Sequence, residues 1–350
     1  MKPIRVLVVD DSAFMRKVIR DMLGTSNNID VISTARNGTD GLKKTLSLRP
    51  DVITLDVEMP IMNGLEMLEH VMKECPTPTL MLSHSTLQGA ENTVKALSIG
   101  AVDFLAKPAN PLSISGHEIK EELIGKVYNA AQANLSQKRS RLFSSTQNIT
   151  RGNTPYKNYR NIIAIGASTG GPKTLQTVLT SLQEDFPAPV VIAQHLPPRF
   201  TKSLANRLDR LSAIRVKEAE HDEILRDGTA YIAPGGHHLK IDGTGQQWRA
   251  MISPVKDHLH YSPSVNILFE SIAQLPKSYA VAVVLTGMGQ DGADGLQLIK
   301  GNNNPSVVIA QSEETSVVFG MPKAALSTNC VDEVQHIQDI GNRIIQLLNQ

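Results

Sequence analysis

Short Val- and Ile-rich runs alternate along this chain with segments whose apolar residues recur every three to four positions. Residues 4–9, Ile-Arg-Val-Leu-Val-Val, read as a buried strand, and Phe14, Val18, Ile19 and Met22 then fall on one face of a helix. The alternation continues with strands predicted at 31–34, 52–55, 79–82 and 102–105 and helices at 39–48, 65–73 and 91–99. A further helix carries Ile119, Leu123, Ile124 and Val127, and Ser115 with Glu118 predicts a capping box at its start. Five strands alternating with five helices predict a parallel, doubly wound α/β sheet. From 137 to 160 the periodicity fades into Ser, Thr, Asn and Gln with six basic residues and no acidic ones, which reads as a solvated tether. A second β/α series follows, with strands predicted at 162–165, 190–194, 229–233, 280–285 and 307–311 and helices at 173–182, 202–211, 265–274 and 293–299. A hairpin over 243–253, turned by Gly243-Thr244-Gly245, is expected as an insertion outside that sheet. The chain thus divides into a first domain at 1–134, a linker at 135–158 and a second, mostly parallel α/β domain at 159–350.

Composition narrows the function without deciding it. A length of 350 residues favours two domains, and 41% hydrophobic with 20% charged residues is ordinary for a folded chain. No apolar run approaches the roughly 18 residues of a membrane span. The first apolar run meets Asp10 and Asp11, which would spoil a secretory signal. Two cysteines, Cys75 and Cys330, make no disulfide framework and lack metal-site spacing, so a cytoplasmic protein is expected. With 35 basic against 34 acidic residues, bulk charge gives no reason to expect a nucleic-acid partner. Function must come from local motifs.

In the first domain the polar residues collect where ligands bind an open α/β sheet, at the carboxyl ends of strands. Asp10 and Asp11 end the first predicted strand, Asp56 the third and Ser83 the fourth, and Lys107 follows the fifth. Three converging carboxylates repel unless a hard divalent cation such as Mg²⁺ neutralises them, and Lys107 adds a fixed positive charge. A carboxylate between cations, with a hydroxyl nearby, is set up to accept a phosphoryl group, and Asp56 is the candidate nucleophile. A lone strand-end Asp is more often a turn residue; five such residues at four strand ends are not a coincidence of that kind. The stretches Val8-Val9-Asp10-Asp11-Ser12, Leu55-Asp56-Val57-Glu58-Met59-Pro60 with Asn63-Gly64, and Phe104-Leu105-Ala106-Lys107-Pro108 resemble the receiver domain of response regulators. The resemblance implies a flavodoxin-like fold, phosphorylation of Asp56 by a sensor histidine kinase, and Mg²⁺ bound with help from Asp11 and the Glu58 carbonyl. It also implies a grip on the phosphoryl group by Ser83 and Lys107, a cis peptide before Pro108, and an aromatic switch at Phe104.

The second domain offers three readings of its glycine-rich turns. Gly166-Ala167-Ser168-Thr169-Gly170 follows a strand and precedes a helix, the setting in which Gly-x-Ser-x-Gly raises a serine on a tight bend; alone it reads equally well as a mere turn. Gly166 to Thr174 nearly spells a phosphate loop, but Pro172 breaks the spacing and removes an N–H. Gly287-Met288-Gly289-Gln290-Asp291-Gly292 is a literal dinucleotide fingerprint, yet Asp291 would repel a pyrophosphate and better serves as partner to a base. That base is expected to be His195, at the end of strand 190–194 on the same edge as Ser168 and Asp291. His237-His238, after Pro234-Gly235-Gly236, is the strongest competitor among the histidines but lacks metal partners at recognisable spacing. Ser168, His195 and Asp291 supply a nucleophile, a base and an orienting acid in an order unlike that of α/β-hydrolases.

These motifs, with Ala193-Gln194-His195-Leu196-Pro197, Ala233-Pro234-Gly235-Gly236-His237 and Leu285-Thr286-Gly287-Met288-Gly289, resemble the catalytic domain of the CheB family of chemotaxis protein-glutamate methylesterases. With the receiver in front, the resemblance covers nearly the whole chain. It implies hydrolysis of glutamyl methyl esters on chemoreceptors, deamidation of receptor glutamines, no cofactor in the catalytic domain, and restraint of the esterase by an unphosphorylated receiver. Backbone N–H groups near Thr169 and Met288 are expected to hold the oxyanion. The rival class is a receiver joined to a nucleotide-binding or adaptor module without catalysis.

Overall fold

The structure, a computed structural model, describes residues 2–84, 86–107, 116–135, 159–244, 247–255 and 261–349. Most of the predicted linker lies outside them, as do Ser115 and Pro108, and with these the expected capping serine and cis peptide. The chain separates into two compact units, Met1–Leu135 and Ser136–Gln350.

The first unit runs β1 (Ile4–Val9), α1 (Ala13–Leu23), β2 (Ile29–Ala35), α2 (Gly38–Leu48), β3 (Val52–Asp56), α3 (Gly64–Glu74), β4 (Thr79–His84), α4 (Leu87–Ile99), β5 (Asp103–Lys107), α5 (His117–Ala131). Its five strands pair in parallel in the order β2-β1-β3-β4-β5. Every residue of β3 is buried, as a central strand covered by helices on both faces requires. Helix starts follow local capping chemistry: Ser12, Asn37, Asn63 and Thr86 each accept a backbone N–H of the following turn, and Asn63 with Glu66 forms a full capping box. The N-cap residue of α5 is Gly116, which has no side chain to cap the first turn, and the helix buries Leu123, Val127 and Ala130.

The second unit runs β6 (Arg160–Ala167), α6 (Gly171–Leu179), β7 (Val190–Gln194), α7 (Phe200–Asp209), β8 (Arg215–Glu218), β9 (Glu223–Ile224), β10 (Thr229–Ile232), β11 (His237–Thr244), β12 (Gln247–Pro254), α8 (Val265–Ala273), β13 (Ser278–Val284), α9 (Ala293–Gly301), β14 (Ser306–Gln311), α10 (Met321–Ser327), β15 (Glu333–Gln335), α11 (Ile337–Leu348). Seven strands form a parallel sheet in the order β15-β14-β13-β6-β7-β10-β8. Two of these, β8 and β15, are edge strands of four and three residues, too short and too polar to stand out by alternation.

The hairpin is longer than its turn signal suggested. Its arms are β11 and β12, paired from His237↔Pro254 to Thr244↔Gln247, and with β9 they make a separate antiparallel sheet. Leu239, Ile241, Trp248 and Ala250 alternate toward a core shared with Leu268, Phe269 and Ile272 of α8. Burying such side chains stabilises by about 1.5–3 kcal/mol each, which ties the hairpin to α8. The Ile241 N–H also donates to the Ser271 hydroxyl at 2.9 Å. Both cysteines are free, and among the described residues no helix is long and apolar enough to cross a membrane.

Candidate functional site

Both sheets reverse their direction of growth at their centre, β1 against β3 in one and β6 against β13 in the other. A crevice opens at such a reversal, beyond the carboxyl ends of the strands. Each crevice collects the polar residues singled out above.

In the first unit Asp10 and Asp56 are buried and Asp11 is exposed, and one carboxylate oxygen from each lies within 4.8 Å of the others. Lys107 reaches across from β5, its Nζ 2.9 Å from Asp10 Oδ2 and 2.9 Å from Asp56 Oδ1. Arg16 donates to the carbonyls of Asp10 and Asp11 at 2.8 and 2.9 Å and fixes the loop between strand and helix. Gly64 has to be small, since a Cβ there would collide with the Asp56 carbonyl oxygen. Burial outweighs the attraction of Lys107 and, with the charge of Asp10, holds the Asp56 carboxyl above the usual carboxylate range. Three hard oxygen ligands at this spacing, with more negative charge than one lysine offsets, fit a divalent cation such as Mg²⁺. An open depression of about 510 Å³ beside them is lined by Asp11, Glu58, Met59 and Asn63 among others. Ser83 sits one residue beyond Leu82, the strand partner of Asp56, and its hydroxyl donates to the Gly89 carbonyl at 3.0 Å. Phe104 is buried, with Lys126 Nζ 5.7 Å from its ring centroid.

In the second unit three strand ends converge. Ala167 pairs with Gln194 across β6 and β7, the His195 N–H donates to the Ala167 carbonyl at 3.0 Å, and the Ser168 N–H donates to the Thr286 carbonyl at 3.1 Å. Ser168 is thus flanked by His195 on one side and by the Thr286–Gly287 turn on the other. A Cβ added at Gly287 would lie 2.7 Å from that of Ser168, so only glycine admits the serine there. Thr169 and Met288 stand beside Ser168 on these two turns, Thr169 buried and Met288 half exposed.

His195 Nε2 bonds Asp291 Oδ2 at 2.8 Å, and its Nδ1 is buried with no hydrogen-bond partner among the described residues. Asp291 accepts three more bonds, from the Val265 N–H at 2.7 Å, the Asn266 N–H at 2.9 Å and the Ser264 hydroxyl at 2.9 Å. The carboxylate therefore occupies the N-terminus of α8, where unpaired N–H groups and the helix dipole favour an anion. Burial alone would raise the Asp291 pKa, but the bond and charge of His195 and the two backbone N–H groups hold it below the usual range.

Four supporting residues were given no role in the sequence reading. Gln194 is buried and its Nε2 donates to the carbonyls of Ser168 and His195 at 2.9 and 3.3 Å, tying the two turns together. A glutamine closing the otherwise apolar strand Val-Val-Ile-Ala-Gln was the available signal. Ser264 and Asn266 hold Asp291 as described, and Asn266 Oδ1 in turn accepts the N–H groups of Gly292 and Gly295 at 2.9 Å each, so α8 and α9 cap one another. Tyr261 stacks on His195 with ring centroids 4.3 Å apart and planes 4° from parallel. No spacing rule links these residues to positions so distant in sequence.

The competing readings lose their physical basis here. A dinucleotide would need the N–H groups at the start of α9, and Asn266 Oδ1 already accepts those of Gly292 and Gly295. In the Gly166 to Thr174 loop the Gly171 N–H donates to the Ser168 carbonyl instead of facing a phosphate. His238 lies on β11 and its Nδ1 accepts the Ser264 N–H at 3.3 Å, while His237 Nδ1 contacts the Gly235 carbonyl at 3.3 Å. Among the described residues only Asp10, Asp11 and Asp56 group as metal-binding side chains.

Residues 163–344 match the family model described as CheB methylesterase, and residues 6–116 match that of the response regulator receiver domain. A protein-glutamate methylesterase/protein-glutamine glutaminase of Geobacillus kaustophilus is 49% identical over 353 residues, spanning 100% of both chains. One of Bacillus subtilis is 44% identical over 353 residues and 97% of each chain. Among solved structures, the CheB methylesterase catalytic domain of Thermotoga maritima is similar at 41% identity and a TM-score of 0.51, covering 53% of this chain and 97% of that one.

Proposed function

Because the chain belongs to the CheB methylesterase family and carries a receiver domain, we propose that it hydrolyses glutamyl methyl esters on methyl-accepting chemotaxis receptors and deamidates receptor glutamines in the cytoplasm, under control of phosphorylation at Asp56. Ser168 is the nucleophile, His195 the general base and Asp291 the orienting acid. The observation that carries this reading is the state of His195: Nε2 engaged by an ionised Asp291, Nδ1 buried and unpaired among the described residues.

That arrangement assigns the proton positions. Asp291 only accepts, so Nε2 carries the hydrogen and Nδ1 presents its lone pair, the reverse of the nitrogen roles in chymotrypsin-type enzymes. Nδ1 takes the Ser168 hydroxyl proton as Oγ bonds to the substrate's side-chain carbonyl carbon. The imidazolium that forms is stabilised by Asp291, whose own charge the N-terminus of α8 sustains. The backbone N–H groups of Thr169 and Met288 are assigned to the oxyanion, a contribution of about 3 kcal/mol per donor. The proton then passes from Nδ1 to the departing methoxide, giving methanol, or to the departing amide, giving ammonia. Water repeats the sequence on the acyl-serine and releases a glutamate.

In the receiver, Asp56 accepts the phosphoryl group from a sensor histidine kinase, with Lys107 and Ser83 as its contacts. Asp10, Asp11 and Asp56 with the Glu58 carbonyl would hold Mg²⁺, which when bound supplies neutralising charge on the phosphoryl oxygens. Phosphorylation replaces the single charge of the Asp56 carboxylate with about −1.5 to −2 on the phosphoryl group, a net gain of negative charge in an already crowded cluster and the physical basis for a shift in activity.

Methanol release from methylated receptors, with and without a small-molecule phosphodonor, tests the reading. Ser168→Ala lowers the rate by roughly a thousand-fold or more, and a substitution that leaves the wild-type rate would remove the nucleophile from this account.

A further inference from the structure

Tyr261 has no part in the motifs or in the proton path above, yet it lies flat against the imidazole, centroids 4.3 Å apart and planes 4° from parallel. Its far end is held too. Gly289 is in the left-handed region at φ +85°, and a Cβ there would come within 3.0 Å of the Tyr261 hydroxyl oxygen. The ring is therefore bracketed by His195 on one side and by the Gly287–Gly289 turn at its tip. Half of the residue, 51%, remains open to solvent, so packing demand from the core does not account for its position.

Resting on the serine–histidine–aspartate reading, we propose that Tyr261 is a positioning residue for His195, an aromatic platform that fixes the plane of the base. The bond to Asp291 restrains only Nε2, which lies close to the Cβ–Cγ axis, and leaves the imidazole room to turn about that axis. Rotation would carry Nδ1 away from the Ser168 turn, because among the described residues Nδ1 has no hydrogen bond of its own to hold it. A parallel ring stops that rotation through contact across its whole face. It also acts selectively during the reaction: once His195 carries the serine proton, the ring faces a cation, and an aromatic face attracts a cation more than a neutral imidazole. The aromatic ring, rather than the phenolic hydroxyl, is the working part.

The full-length protein, assayed with phosphodonor, separates this from a merely structural role. Tyr261→Leu keeps an apolar side chain and lowers kcat for methanol release by about ten-fold with KM within about two-fold, whereas Tyr261→Phe retains most of the wild-type kcat. In NMR spectra of histidine-labelled protein, the His195 ring protons lose their upfield displacement in Tyr261→Leu and keep it in Tyr261→Phe. A Tyr261→Leu kcat within two-fold of wild type overturns the proposal. So does a rise in KM at constant kcat, which makes Tyr261 a substrate contact, or a Phe variant as slow as Leu. Ser168→Ala, run alongside, reports on the underlying mechanism separately: full activity there removes the serine, while its loss together with an unaffected Tyr261→Leu removes only the platform.

Discussion

Asp56 and Asp291 occupy equivalent places in the two units, each near the carboxyl end of a strand at the point where its sheet reverses, and they are equally buried at 5% and 6% exposure. Their protonation preferences are nevertheless opposite. Asp56 shares Lys107 with Asp10, accepts one backbone N–H from its own neighbour Val57 at 2.8 Å, and is held toward the neutral form. Asp291 accepts two helix N–H groups, a hydroxyl and an imidazole N–H, and is held toward the ionised form. Burial penalises both charges, so the outcome is decided by the donors each carboxylate meets and by the like charge of Asp10 beside Asp56. A carboxylate left short of donors is poised to gain a cation or a phosphoryl group. One saturated with donors serves as a fixed charge behind a base.

The strongest way to break this contrast is Asp291→Asn. An amide in that place can donate to His195 and impose the wrong tautomer, so methanol release falls by about 10³- to 10⁴-fold; a kcat within ten-fold of wild type would show that Asp291 is not the orienting charge. Asp56→Asn removes the whole of the phosphodonor-dependent increase in rate, read as the ratio of rates with and without donor. Any residual increase places the acceptor elsewhere.

Stability sharpens the contrast further. In chelator-containing buffer at pH 7, Asp56→Asn relieves charge crowding and raises the unfolding midpoint of the N-terminal unit, while Asp291→Asn, with its amide group turned to His195, strands the Val265 N–H and costs the C-terminal unit about 1–3 kcal/mol. Since the folded-state pKa of Asp291 lies below its unfolded value, the stability it contributes is fully present above about pH 4 and is lost as pH falls through the folded value. The gap between wild type and Asp291→Asn should therefore narrow in acid, and a gap that widens there contradicts the assignment. The smallest effect belongs to Ser264→Ala. It deletes one of four bonds to Asp291 and the side-chain cap of α8, costing about 1 kcal/mol, and slows methanol release by about five-fold.

Much of this was legible in the linear sequence because strand ends are legible. A Val-rich run that stops at Asp10, Leu55-Asp56, Ala167-Ser168 or Gln194-His195 places the last residue at a sheet edge whatever the rest of the fold does. The long hairpin arms were foreshortened because their alternation, Leu239 and Ile241 inward with Lys240 and Asp242 outward, begins before the glycine turn that marks them. The short edge strands β8 and β15 carried no period at all.

Which polar residues meet at the two crevices was thus written into residue types and their places along the strands. Their chemical state was not. That Nε2 rather than Nδ1 meets Asp291, that Ser264 and Asn266 keep that carboxylate charged, and that Tyr261 fixes the imidazole plane follow from segments tens of residues apart meeting at one crevice. Desolvation and hydrogen bonding depend on neighbours in space, and those neighbours exist only once the sheet has closed around the site.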